Sequence, residues 1–178
     1  MSQKNDHIVS AEQWMPYHHP QPINSAPEIV IPSAIPEDEG IWVPLNHGVS
    51  FRPLCLNASQ GYWVNLLRVK QAGVLSRHRH PQAVHGYVIK GKWRYLEHDW
   101  IATEGSYVFE SPGETHTLVV DQDVEEMITL FQVNGSMIYV DPDGDVTGYD
   151  DVFTRIEKCK KHYEAIGFGP DFVNQFIR

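Results

Sequence analysis

Residues 76–91 read SRHRHPQAVHGYVIKG, three histidines and two arginines leading into an apolar run that ends at Gly91. The run GYVIKG has the β-branched and aromatic content of a buried strand. If the chain is already extended at residue 77, successive side chains alternate between faces, so His78 and His80 share one wall and Arg77 and Arg79 take the other. Two imidazoles about 7 Å apart on one wall can converge on a single ion. A third ligand must come from elsewhere in the chain.

The next candidate is His116, in SPGETH (111–116), directly before the apolar TLVV (117–120). A histidine at the start of a strand, after a glycine turn, can be held rigidly while facing inward. Around these two stretches the texture is that of a β-protein from about residue 41 to 142. Strands are expected at 61–69 (GYWVNLLRV), 86–91, 93–98 (WRYLEH), 106–111 (SYVFES), 116–120, 126–133 (EMITLFQV) and 137–140 (MIYV). Turn sequences such as QAG, TEG, SPGE, NG and DPDG separate them. Many short strands about ten residues apart indicate a sandwich or barrel. DDVFTRIEKCKKHYEAIG (150–167) places Val152, Phe153, Ile156, Cys159 and Tyr163 at helical spacing, with Asp150 or Asp151 to cap it and Gly167 to end it. Residues 1–40 carry Pro16, Pro20, Pro22, Pro27, Pro32 and Pro36, which fits an extended arm and not a helix or central strand. Trp14, Tyr17 and EIVIP (28–32) suggest that this arm docks.

Composition narrows the function. The chain has 178 residues, 42% hydrophobic and 21% charged, enough for one sizeable domain. A net charge of −9 argues against nucleic acid and against an anionic membrane surface, both of which need a basic face. MSQKNDHIVS has neither the basic patch nor the apolar core of a signal peptide, so the cytoplasm is the expected compartment. Cys55 and Cys159, about 100 residues apart, form no disulfide framework and read as buried small hydrophobes.

Gly73, His78, His80 and Gly91, followed by Gly105, Ser111, Gly113 and His116, resemble the two motifs of the cupin superfamily. That resemblance implies an all-β fold, a double-stranded β-helix or jelly-roll barrel, here with the extended N-terminal arm (1–40) and a domain over 41–178 that includes the C-terminal helix. The first motif usually carries a glutamate ligand a few residues after its second histidine. That slot holds Val84, with His85 beside it. The expected metal ligands are therefore His78, His80 and His116 alone, with His85 as an alternative ligand or a group behind them. Whether Glu97, Glu114 or water is a fourth ligand stays open at this point. In WRYLEHDW, alternation groups Trp93, Tyr95 and Glu97 on one face. If that face is the lumen, Tyr95 can donate a hydrogen bond and Glu97 can act as a base or distant ligand. Trp63, Phe109 and Phe131 are candidate core aromatics that suit a flat substrate.

The stretch RHRHPQAVHGYVIKGKWRYLEHDWIATEGSYVFESPGETHTLVV (77–120), with the later IYVDPDG, GYDDVFTRIE and FVNQFIR, is similar to the 2,4′-dihydroxyacetophenone dioxygenase family. This implies an Fe(II) cupin that uses O2 to cleave the carbon–carbon bond of a small aromatic hydroxy ketone, giving an aryl carboxylate and formate. Imidazole alone does not name the metal, since it suits zinc, copper, iron and nickel. Three neutral ligands would leave three positions on a six-coordinate ion, two for the substrate's carbonyl and hydroxyl oxygens and one for dioxygen. Two other readings compete: an iron cupin dioxygenase acting on β-diketones, and a non-catalytic zinc-binding cupin sensor of the anti-sigma type. A homodimer or homotetramer is expected from the sheet edges and the arm.

Overall fold

The computed structural model describes residues 14–178; the part of the arm before Trp14 lies outside the described residues. Twelve strands follow one another: β1 (Val43–Asn46), β2 (Val49–Asn57), β3 (Tyr62–Val69), β4 (Gly73–Arg79), β5 (Val84–Lys90), β6 (Lys92–Tyr95), β7 (Ala102–Thr103), β8 (Tyr107–Glu110), β9 (Thr115–Val120), β10 (Met127–Asn134), β11 (Ser136–Val140) and β12 (Val146–Asp151). They form two six-stranded sheets, ordered β1-β2-β3-β10-β5-β8 and β12-β11-β4-β9-β6-β7. Strands distant in sequence thus lie side by side, as a jelly roll requires. The inward faces of both sheets carry the core, led by Phe51, Leu56, Trp63, Val88, Trp93, Met127 and Phe131.

Helix α1 (Val152–Ala165) follows β12 directly. Asp151 caps it, accepting from the Thr154 backbone N–H while the Thr154 hydroxyl accepts from the Asp151 N–H, a reciprocal capping box. Val152, Ile156, Cys159 and Tyr163 face the barrel, but Phe153, one residue step or about 100° around the helix from Val152, points to solvent. The helix packs against β1, β2 and β12. Since β1 and β12 are edge strands of different sheets, α1 closes the seam between them. The Tyr163 hydroxyl donates to the Ile41 carbonyl, and His162 Nε2 lies 2.8 Å from the Gly40 carbonyl oxygen, fixing the helix to the 3-10 turn Glu39–Ile41. Gly167, with φ +84°, ends it.

Residues 14–38 form no helix or strand, and Ile31 and Ala34 are packed against the core while Trp14, Tyr17 and Ile23 are exposed. Cys159 is buried, but Cys55 is only half-buried, because β2 shifts register between Pro53 and Cys55 and tilts the side chain off the core face. Among the described residues no helix is long and apolar enough to cross a membrane.

Candidate metal centre

The pairing of β4 with β9 sets His78 directly opposite His116. Directly paired residues share a face, so these two imidazoles, 38 residues apart in sequence, point into the barrel together with ring centroids 4.7 Å apart. His80, just past the end of β4, is 4.9 Å from His78 on the same wall. Gly113 holds this end of the strand: at φ +87° its N–H donates to the His80 carbonyl over 2.7 Å, tying the turn before His116 to the first histidine pair. All three imidazoles are buried, whereas Arg79 is exposed.

A fourth group joins them. Glu110, the last residue of β8, is buried, and His78, His80, Glu110 and His116 each offer a ligand atom within 4.8 Å of the others. This corrects the expectation of an all-nitrogen set. The slot at Val84 does hold valine, but Val84 pairs directly with Glu110 across β5 and β8. The carboxylate therefore reaches the same part of the lumen from the neighbouring strand. In β8 the outward residues are the aromatic Tyr107 and Phe109, both exposed, and the inward ones are Val108 and Glu110. The signal was present in the alternation of YVFE, but the aromatic face was the easier one to take for the core. Phe109 accordingly is not a core aromatic, while Trp63 and Phe131 are.

The remaining candidates separate. His85 does not approach the cluster: with Val84 facing in, alternation turns His85 outward, where Nδ1 lies 2.7 Å from the Tyr107 hydroxyl. Glu97 is not on the lumen wall either, since β6 ends at Tyr95 and the chain turns. Its carboxylate accepts the Thr117 N–H at 2.7 Å and the Thr117 hydroxyl at 2.8 Å, clamping β9 one residue beyond His116. Burial opposes its charge, but those two bonds outweigh burial and lower its pKa. Glu114 is solvent-facing and pairs with His98 at 2.9 Å. Tyr95 does face inward. Its hydroxyl donates to Glu110 Oε1 at 2.6 Å, and its ring stacks on His116 at 3.8 Å and 9°. Burial, then the neighbouring Glu110 charge, raises its pKa well above the ordinary phenol value, so it remains a donor.

The donor set fits a divalent cation. His80 Nδ1 lies 3.1 Å from the Ser136 carbonyl, which can only accept, so Nδ1 carries the proton and Nε2 presents a lone pair to the cluster. His78 Nδ1 bonds the Ser76 hydroxyl at 3.0 Å. His116 Nε2 and Glu110 Oε2 are buried without a hydrogen-bond partner, an expensive arrangement unless an ion satisfies both. Burial lowers His80 and His116 to about 4 and drives His78 well below the imidazole range. Burial also raises Glu110 to about 7, against the pull of the Tyr95 hydrogen bond. Glu110 Oε2 lies 3.5 Å from His80 and 3.4 Å from His116. With neutral imidazoles these approaches are not ion pairs; they are lone pairs converging on one point.

The cluster borders a cavity of about 420 Å³ between the sheets, lined by His78, His80, Glu110, Trp63, Leu67 and Phe131 among others. Gly86 makes room for one wall: a Cβ there would meet the Phe131 ring at 3.0 Å.

Two sheets closed around buried imidazoles, a carboxylate and an adjoining cavity define a cupin barrel with the donors of a metal site. Residues 33–137, more than half of the chain, match the family model described as the ChrR cupin-like domain, and the chain belongs to that family. Among solved structures it is similar to an RmlC-like cupin protein from Ralstonia eutropha JMP134, with 27% identity, TM-score 0.65 and coverage of 70% of this chain and 82% of that one. A protein of unknown function with a cupin-like fold from the same organism gives 25% identity, TM-score 0.64 and coverage of 67% and 75%. An acetylacetone dioxygenase from Acinetobacter johnsonii shares the fold at 18% identity, TM-score 0.64, covering 81% of this chain and 97% of that one. No curated protein matches the chain.

Proposed function

We propose that this chain is an Fe(II)-dependent dioxygenase that cleaves the bond between the carbonyl and hydroxymethyl carbons of an aryl ketone. The aryl hydroxymethyl ketone and O2 become an aryl carboxylic acid and formic acid, one oxygen atom entering each fragment. The observation that carries the reading is the buried cluster of three neutral imidazoles and one carboxylate at the wall of a cavity lined by Trp63 and Phe131. The similarity of residues 77–120 to 2,4′-dihydroxyacetophenone dioxygenases supplies the substrate class.

His78, His80, His116 and Glu110 would hold the ion. Bound there, iron(II) would supply substrate chelation and the reduction of dioxygen. With Glu110 among the donors, the ion would keep fewer open positions than three histidines alone would leave, and the carboxylate would offset one unit of its charge. Tyr95 orients Glu110 and keeps its own proton. Apolar walls at Leu67, Val84 and Phe131 exclude water from the reacting carbon. Glu97 and His85, expected at the chemistry, bond instead to Thr117 and Tyr107, away from the cluster.

Elemental analysis of freshly purified protein, followed by oxygen uptake with 2,4′-dihydroxyacetophenone, tests this. The expected result is iron, uptake of one O2 per ketone, and release of 4-hydroxybenzoate and formate. Uptake only with a β-diketone would overturn the substrate assignment. A second reading, a non-catalytic zinc site, draws on the family match and on the donor set, which also suits zinc. Zinc without oxygen uptake would establish it. The exposed Trp14 and Tyr17 of the arm support a homodimer or homotetramer, and light scattering is the check.

A further inference from the structure

The cavity has a second polar end. On the inward face of the sheet ordered β12-β11-β4-β9, His78 pairs with Tyr139 of β11, and β12 beyond it carries the buried Asp150. Asp150 lies two strand spacings from β4, about 10 Å. There Arg155 and Lys158 of the seam-closing helix reach the cavity lining beside Tyr139 and Thr147. Arg155 Nη2 lies 3.1 Å from Asp150 Oδ2, Lys158 pairs with Asp150 Oδ1, and the Tyr139 hydroxyl donates to Oδ2 at 2.8 Å.

Two features make this more than a structural ion pair. Two cations meet one carboxylate, so the group is left with a net positive charge. Arg155 is also almost wholly buried, with its side chain 4% exposed, and its Nε has no hydrogen-bond partner. A buried guanidinium edge without an acceptor is costly, and Arg155 lines the cavity through which one could approach. Phe51 and Trp63 lie 4.8 and 5.5 Å from its centre, so the charge is presented beside aromatic walls.

We propose that Arg155 and Lys158 form a specificity site for an anionic or strongly accepting oxygen at the far end of an aryl substrate whose ketone end lies at the His78–His80–Glu110 wall. The inference rests on the proposed function for the position of the reacting end. A phenolic or carboxylate oxygen para to the ketone has the chemistry required, an acceptor carried on a flat ring at the end opposite the ketone. A neutral, unsubstituted ring would leave the excess positive charge and Arg155 Nε without an acceptor, since Asp150 answers only one of the two cations.

The test uses the full-length, metal-loaded protein and two probes of one shape, 4-acetylbenzoate and 4-acetylbenzamide, titrated by calorimetry under anaerobic conditions. The wild type is expected to bind the carboxylate about tenfold or more tighter than the amide, the size of a charge-assisted hydrogen bond. Lys158→Met, on a half-exposed side chain that the fold tolerates losing, is expected to reduce that preference several-fold. Arg155→Lys, which keeps the charge and removes the fork, is expected to reduce it as well. Equal affinity for the two probes, no binding of either, or a preference that survives both substitutions would overturn the proposal. Oxygen uptake with 2,4′-dihydroxyacetophenone is measured on the same samples. No uptake together with an intact charge preference would defeat the dioxygenase reading and leave the cationic site standing. Uptake without a charge preference would do the reverse.

Discussion

Glu110 bonds to Tyr95 through one oxygen and faces His80 and His116 with the other. Tyr95 therefore selects which oxygen is offered to an ion, and its ring buttresses His116. Tyr95→Phe keeps the stack and removes only the hydrogen bond. It is expected to weaken iron or zinc binding about 10- to 100-fold, the usual effect of losing a partner behind a ligand, as read by competition with a chelator. Unchanged affinity would mean that the carboxylate is oriented by packing alone. The same residue shows what a sequence can convey at this scale. Alternation grouped Tyr95 with Trp93 and allowed it to donate a hydrogen bond if that face was the lumen, but it grouped Glu97 with them too, past the end of the strand. The acceptor of Tyr95 was not legible, because Tyr95 and Glu110 belong to different strands in different sheets.

At the scale of elements, most strands between residues 61 and 140 were legible from β-branched and aromatic runs punctuated by turn residues. β1 and β2 were not: VPLN and VSFRPLCLN contain Pro44 and Pro53, which dilute the pattern, and the sheet accommodates both prolines beside register shifts. His78 and His80 were legible from spacing, and His116 from the glycine turn before its strand and the likeness to the cupin motifs. The carboxylate was only half legible: alternation in YVFE can turn Glu110 inward, but its place beside the histidines depends on the register of β5 against β8, which leaves no local mark. That register yields a specific expectation. Glu110→Val alone should cost metal affinity. Val84→Glu combined with Glu110→Val moves the carboxylate across one rung to the directly paired position and should restore much of it, measured as metal content after dialysis. No recovery in the double variant would show that reach from β8, and not mere presence of a carboxylate in that region, is what matters.

At the scale of the whole molecule, the metal-free site opposes folding over a defined pH range. His80 and His116 fall to about 4 in the folded chain from about 6.5 unfolded. The unfolded chain thus binds more protons at these groups as pH drops through that window, and stability is lost there. Glu110, raised to about 7, contributes in the opposite sense, since the folded chain takes up its proton first. Two histidines outweigh one glutamate, and His78 adds to them. The melting temperature of metal-free protein is therefore expected to fall between pH 6.5 and 4. Saturating iron(II) or zinc should raise the melting temperature at pH 7 and steepen the acid loss, because protons then also displace the ion. Scanning calorimetry with and without metal checks both signs.

The closing of the seam by α1 also has a temporal side. The four candidate donors lie between residues 78 and 116, whereas the helix that covers the β1–β12 edge begins at Val152. A chain emerging from the ribosome presents its strands before that cover exists. An ion can reach the imidazoles while the barrel is still unlatched, before Tyr163 and His162 settle against Ile41 and Gly40.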